Sequence, residues 1–251
     1  MLLRVDTGNE TVGNQVRRQL GAASSWLIVA LFALLAGVAF VTTLNAFLDQ
    51  SSQALSAPPP EPINVNQLLI RPFVMWVGAA ALLVLPLATS RANATFAGTL
   101  ALYAVMLLAP LALVGVLFLF GAPEWGSVVT GFVGLLLMGA AFISAALFIS
   151  SLATSAVAAG FATFAVSLVL VAAAWLARTG TPGAQPVFRS VSLGESLDDF
   201  AKGVVDTGHV VSCLTIAALG LVLTRLIAGN RQLTADNRQP TTDNRQLTTD
   251  N

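Results

Sequence analysis

An apolar run of about 20 residues can cross the ~30 Å hydrocarbon core of a bilayer as a helix. This chain contains six such runs, at Ser25–Phe47, Phe73–Thr89, Ala94–Phe120, Val128–Ser150, Ala156–Ala177 and Val210–Leu226. Inside a bilayer no water is present to satisfy backbone N–H and C=O groups, so each spanning run has to be helical. The expected fold is therefore all-α, a polytopic integral membrane protein with six transmembrane helices. Composition agrees: 56% of residues are hydrophobic and 10% are charged, against about 25% charged in a soluble domain. The second run is short and draws length from its flanks. Pro86 and Pro110 fall inside the second and third runs, where they are expected to kink helices that their neighbours support.

The first run does not read as a cleavable signal, because its apolar core is too long and no small-residue cleavage site follows it. Ahead of it, in "ETVGNQVRRQLGAASS", Val12, Val16 and Leu20 recur every four residues beside Arg17 and Arg18. That pattern predicts an N-terminal interfacial helix lying along the membrane. Lys and Arg set the orientation. With the N-terminus inside, eight fall on cytoplasmic parts (Arg4, Arg17, Arg18, Arg91, Arg225, Arg231, Arg238, Arg245) and four on outer loops (Arg71, Arg178, Arg189, Lys202). Both termini are therefore expected in the cytoplasm.

The connections between spans differ in kind. The first outer loop, about 25 residues long, carries the extended "SAPPPEP". "GAPEWG" reads as a tight turn with Trp125 anchored at the interface. In the last outer loop, about Arg178–His209, Leu193, Leu197, Phe200 and Val204 share one helical face, with Ser196 and Asp199 at capping-box spacing. This predicts an outer amphipathic helix on or dipping into the outer leaflet. Asp198, Asp199, Lys202 and Asp206 would form its polar face, either solvated or facing a partner. The membrane domain is assigned to residues 1–229. Beyond it, "NRQLTAD", "NRQPTTD" and "NRQLTTD" repeat one seven-residue unit, with Pro240 where its neighbours have Leu233 and Leu247. No coiled-coil seam can form from one large apolar residue per unit. Residues 230–251 are expected to be disordered.

The chemistry that this composition excludes is broad. All twelve Lys/Arg and all twelve Asp/Glu lie outside the central parts of the spans. Intramembrane ionisable groups mark ion relays and substrate pathways, so a proton-coupled transporter or pump is not expected. A single cysteine, Cys213, and a single histidine, His209, cannot build a zinc cage or a haem pair. Cys213 reads as a small buried hydrophobe, and His209 as an interfacial or loop residue. No phosphate-cradling glycine loop is present, and a net charge of zero leaves no basic footprint for nucleic acid. No catalytic, cofactor or metal residue is assigned, and no enzyme activity. Close packing is expected instead from the small residues of the fourth and fifth spans: Gly131, Gly134, Gly139, Ala140, Ser144, Ala158, Gly160 and Ala162. That packing could lie within one bundle or between subunits.

Three stretches carry a family resemblance. They are "RRQLGAASSWLIVALFALLAGVAF", "APEWGSVVTGFVGLLLMGAAFISAALFISSLATSAVAAG" and "ESLDDFAKGVVDTGHVV", the last of these most specifically at Phe200–Asp206. Over roughly Gln15–Arg231 the chain resembles the permease subunits of ABC transporters of the type 2 exporter class, in the gliding-motility branch. The resemblance implies six spans per subunit in a bacterial inner membrane, pairing with a second permease subunit in a homo- or heterodimer, contact with membrane lipid, and drive from a separate cytoplasmic ABC-type ATPase. It places ATPase-contact candidates at Arg17, Arg18, Arg91 and Ser151. It places outer-helix candidates at Asp198, Asp199, Phe200, Lys202 and Asp206.

The chain departs from this family between the second and third spans. There its relatives carry an acidic–basic pair, a Gly-Thr-Leu-Glu step and a further amphipathic stretch. Here "ATSRANATFAGTL" stands instead, with Ala101 after Gly98-Thr99-Leu100 and no acidic residue. "ISSLATS", between the fourth and fifth spans, is equally short and uncharged. An accessory or structural membrane subunit, derived from such a permease and without its coupling segment, is the alternative expectation.

Overall fold

The computed structural model describes residues 12–56, 64–90, 94–120, 123–153, 155–179 and 193–236. Among them the secondary structure is helical throughout. The helices are α1 (Val12–Gly21), α2 (Ala23–Ser56), α3 (Asn66–Thr89), α4 (Phe96–Phe120), α5 (Trp125–Leu152), α6 (Ala156–Thr179), α7 (Leu193–Ala201) and α8 (Thr207–Asp236). Six of these, α2–α6 and α8, are long and apolar enough to cross a membrane. The chain is a multi-pass membrane protein, as its apolar runs require. Successive crossings alternate in direction. The α1 end, the α3–α4 and α5–α6 connections and the end of α8 therefore share one face, termed proximal below. The α2–α3 and α4–α5 connections and α7 share the other, termed distal.

Three boundaries differ from the sequence expectation, each for a local reason. Helix α2 runs nine residues past Phe47 to Ser56, because nothing between Leu48 and Ser56 breaks a helix. The Ser51 and Ser52 hydroxyls bond back to the carbonyls of Phe47 and Asp49. Helix α3 gains its missing length from a π-helical turn at Asn66–Ile70. In that turn the Arg71 N–H donates five residues back, to the Asn66 carbonyl. Pro72 follows immediately and has no N–H to continue an ordinary ladder. Helix α8 continues through Asn230–Asp236, so the first copy of the repeat is helical rather than disordered. Its Arg, Gln, Leu and Ala are good helix formers that extend a helix already nucleated. The second and third copies lie outside the described residues.

The core is built on α3 and α5. The most apolar stretch of α3 is 61% buried, whereas that of α8 is 17% buried. Helix α5 packs on α3, α4, α6, α7 and α8. The small residues of α5 are where partners approach. The lone tyrosine, Tyr103 of α4, lies across Gly139 so closely that a Cβ there would clash with its ring. The Tyr103 hydroxyl donates to the Leu135 carbonyl at 2.9 Å. Val74 of α3 packs on Gly131, and α8 crosses at Gly220 against the backbone of Ser144. Gly160 of α6 meets Ser90. These contacts lie within one bundle, while Ala158 and Ala162 are exposed on α6. Helix α2 contributes a stripe of Ile28, Phe32, Ala36 and Ala39, and Phe40 meets Phe73 edge to face with ring centroids 5.5 Å apart. Pro86 and Pro110 lie inside unbroken helices. Cys213 is buried, as expected of a small hydrophobe.

Candidate functional site

The distal helix α7 is seated between α3 and α5. Its apolar face is Leu197, Phe200 and Ala201, each at most 2% exposed. Their recesses are glycines. Leu197 fills the space where Gly78 of α3 would carry a Cβ, and a Cβ on Gly134 of α5 would lie 2.6 Å from Phe200 Cβ. Gly131 faces the Ala201 backbone. Gly78 is twelve residues into a 24-residue helix, or about 18 Å along its axis at 1.5 Å per residue. The Leu197 side chain therefore reaches the level of the bundle's middle, so α7 dips into the bundle rather than lying on it. Burying Leu197 and Phe200 from water is worth about 1.5–3 kcal/mol each. The Thr130 hydroxyl of α5 donates to the Phe200 carbonyl at 2.7 Å, satisfying a backbone group at the end of α7.

Both ends of the α7–α8 corner are capped. Gly203, at φ +87°, takes the left-handed position after the helix. Its N–H bonds the Phe200 carbonyl, and the Val204 N–H bonds the Asp199 carbonyl at 3.0 Å. This is a Schellman stop, which glycine favours because it has no Cβ. The stop ends the helix at Ala201, so Val204 lies beyond the apolar face and is exposed. The expected capping box is also displaced: α7 begins at Leu193, which puts Ser196 and Asp199 inside the helix. Three residues past Gly203, Asp206 accepts the Gly208 N–H at 2.8 Å and serves as the N-cap of α8.

Charges rim the seat. Arg71 binds Asp198 with both arms of the guanidinium, Nε to Oδ1 at 2.6 Å and Nη2 to Oδ2 at 2.7 Å. Such bidentate pairs are the stronger class of ionic contact. Lys202 reaches Asp198 at 2.9 Å and Asp199 at 3.0 Å, and His209 Nδ1 lies 3.7 Å from Asp199 Oδ2. Burial pushes the Asp198 carboxyl up, but the hydrogen bonds from Arg71 and Lys202 outweigh this and hold it below the usual carboxylate range. The same partners, Asp198 first, hold the Lys202 ammonium above the usual lysine range. Near the seat, Asn66 donates to Glu124 at 2.9 Å, and the Glu124 N–H donates back to the Asn66 side-chain oxygen. Trp125 is exposed and stacks on Phe118 at 4.1 Å, consistent with an interfacial anchor.

The structure thus brings Asp198, Asp199, Phe200 and Lys202 together, with Phe200 as a plug and the others in one ionic cluster. Asp206 has a separate task at the head of α8. Sequence reasoning counted Arg71 as a loop charge and missed its role. The available signal was its place at the head of the second span, facing an acidic pair in the last outer loop.

The proximal candidates are more scattered. Helix α1 packs against the start of α4. There buried Gln19 donates to the Thr99 hydroxyl at 3.1 Å, and the Ser25 hydroxyl bonds the Gln19 carbonyl. Arg17 and Arg18 are on the exposed side of α1. Ser151 is buried in the last turn of α5, its hydroxyl bonded to the Phe148 carbonyl at 2.6 Å. Arg91 lies outside the described residues. The α3–α4 connection spans only residues 90–95, and α5–α6 only residues 153–155.

Among the described residues no group of three His, Cys, Asp or Glu side chains could hold a metal ion. Comparison with known proteins finds no matching family model, no matching curated sequence and no matching solved structure.

Proposed function

We propose that this chain is the membrane-spanning permease subunit of an ABC exporter. In this reading it pairs with a second permease subunit and is driven by a separate ATPase at the proximal end. The proximal end then faces the cytoplasm of a bacterium, with both termini inside, and α7 faces outward. The observation that carries the reading is the order of parts around the bundle. An amphipathic helix is fastened at the proximal end of the third span, and a second short helix is seated in the distal half immediately before the last span. The type 2 exporter permeases that the sequence resembles share this plan. In such a subunit, nucleotide-driven closure of the ATPase would be transmitted through α1 and the short proximal connections into rearrangement of the spans. Arg17, Arg18 and Arg91 would contact the ATPase. The substrate would pass between paired subunits rather than react with any residue of this chain.

The test is to extract the tagged chain in mild detergent at native expression and identify what copurifies. The expected result is an ABC-type ATPase in stoichiometric amount, whose ATP hydrolysis in liposomes rises several-fold when the permease is present. Recovery of the chain without any ATPase would contradict the proposal.

A specific observation favours one other reading. The proximal connections, residues 90–95 and 153–155, are too short to hold a coupling helix and its return. An accessory subunit would keep the bundle and the distal helix and associate with an intact permease. Under that reading, replacing residues 90–95 with a Gly-Ser linker leaves the activity of the assembled complex unchanged.

A further inference from the structure

We infer that His209 is a pH-responsive latch on the distal helix: protonation of its imidazole closes an ion pair with Asp199 and holds α7 more firmly in its seat. The inference stands on the geometry of the distal end and is independent of the permease reading. His209 is the third residue of α8, and its Nδ1 is buried with no hydrogen-bond partner. That atom lies 3.7 Å from Asp199 Oδ2, beyond hydrogen-bond length but within reach of an ion pair. The other carboxylate oxygen, Oδ1, is engaged by Lys202 at 3.0 Å. Asp199 therefore has one oxygen committed and one turned toward the imidazole.

Among the described side chains, α7 presents Asp198 and Asp199, the connector presents Lys202 and Asp206, and α3 presents Arg71 through Asp198. Three carboxylates against two cations leave one negative charge unmatched, and an imidazolium at His209 balances it. The positive end of the α8 dipole opposes a cation in this first turn, and the Asp206 carboxylate at the N-cap counters that effect. Histidines ordinarily change charge between about pH 5 and 8, whereas carboxylates ordinarily titrate near 4 and lysines near 10.4. His209 is the chain's only histidine, so a response within that window reports on it. With the imidazole neutral, α7 is tied to α3 by Arg71; with it charged, α7 is tied to α8 as well.

Amide hydrogen exchange of residues 193–201 tests the latch. The full chain is measured in lipid nanodiscs at pH 5.5 and 7.5, each rate corrected for the intrinsic pH dependence of exchange. The wild type is expected to show about threefold greater protection of this segment at pH 5.5, the scale of a partly exposed ion pair. His209→Gln should abolish that difference. Asp199→Asn, which keeps the histidine and removes its partner, should abolish it too. Equal protection at both pH values in the wild type would overturn the inference, as would a wild-type response persisting in either variant.

Discussion

The two ends of the bundle are built by different means. At the distal end, α7 is fixed by three independent devices: glycine recesses on α3 and α5, a Schellman stop joined to an N-cap, and an ionic cluster centred on Asp198. At the proximal end, the connections are short, and the buried polar links of α1 are Gln19 with Thr99 and the Ser25 hydroxyl with the Gln19 carbonyl. Helices in lipid gain no hydrophobic drive from associating with one another, so close packing and polar contacts decide their arrangement. The distal end has both in abundance. Its geometry is over-determined, while α1 depends on two hydrogen bonds, both at Gln19, and the packing around them. An element that must stay put and an element that must yield to a partner would differ in this way.

The largest expected effect comes from filling a distal recess. A Cβ at Gly134 already meets the Cβ and ring of Phe200 at 2.6–2.9 Å, so Gly134→Val should expel α7 at a cost of about 3 kcal/mol. A lowered thermal midpoint, with rapid proteolysis between residues 193 and 206, would register the loss. Gly21→Ala at the proximal end has nothing within 4 Å of the new Cβ and should leave both readouts unchanged. Next comes the ionic cluster. Arg71→Met leaves Asp198 beside a seat of apolar groups, but the side chains are 39% and 21% exposed. Solvent screening therefore limits the cost to about 1 kcal/mol. Arg71→Met with Asp198→Asn should recover part of it in denaturant titrations.

The contrast with the proximal end is sharpened by Gln19→Ala. Losing one buried hydrogen bond costs about 1 kcal/mol and should make α1 sensitive to protease while α7 stays protected. The smallest effect is that of acid. The folded-state Asp198 carboxyl is held below its unfolded value. Its contribution is therefore complete above the ordinary carboxylate range and lost as pH falls through the lowered value. Protection of α7 should thus rise from pH 7.5 to 5.5 through His209 and fall below about pH 4. In Asp198→Asn the acid-side fall should shrink, with the remainder carried by Asp199 and its partners.

Much of the architecture was legible because length and apolarity leave a membrane-spanning run few alternatives. All six spans, α1 and α7 follow from local patterns. The pairing of elements does not, because it links residues far apart in the chain. Tyr103 on Gly139, Phe200 on Gly134 and Arg71 with Asp198 leave no periodic trace in sequence. Small residues on α5 indicated that something would pack closely there, without saying what. The stop at Gly203 was readable in principle: a glycine following an amphipathic face is a C-terminal signal. Val204, in register with Leu193, Leu197 and Phe200, drew the expected face one turn too far. The ionic cluster was partly visible, since Lys202 follows Asp198 and Asp199 at i,i+4 and i,i+3 spacing. Its anchor, Arg71, lies in another element 127 positions away.

The seating of α7 inside the bundle is the central claim, and a cross-link tests it most directly. Gly78→Cys and Leu197→Cys are introduced together in a Cys213→Ser background, with a protease site between α3 and α7, and the membranes are treated with a permeant oxidant. The structure predicts rapid disulfide formation that joins the two fragments after cleavage. It predicts none for Leu197→Cys paired with Leu214→Cys, which is on the exposed face of α8. Fragments that separate freely in the first pair, in protein that remains monodisperse, would contradict it.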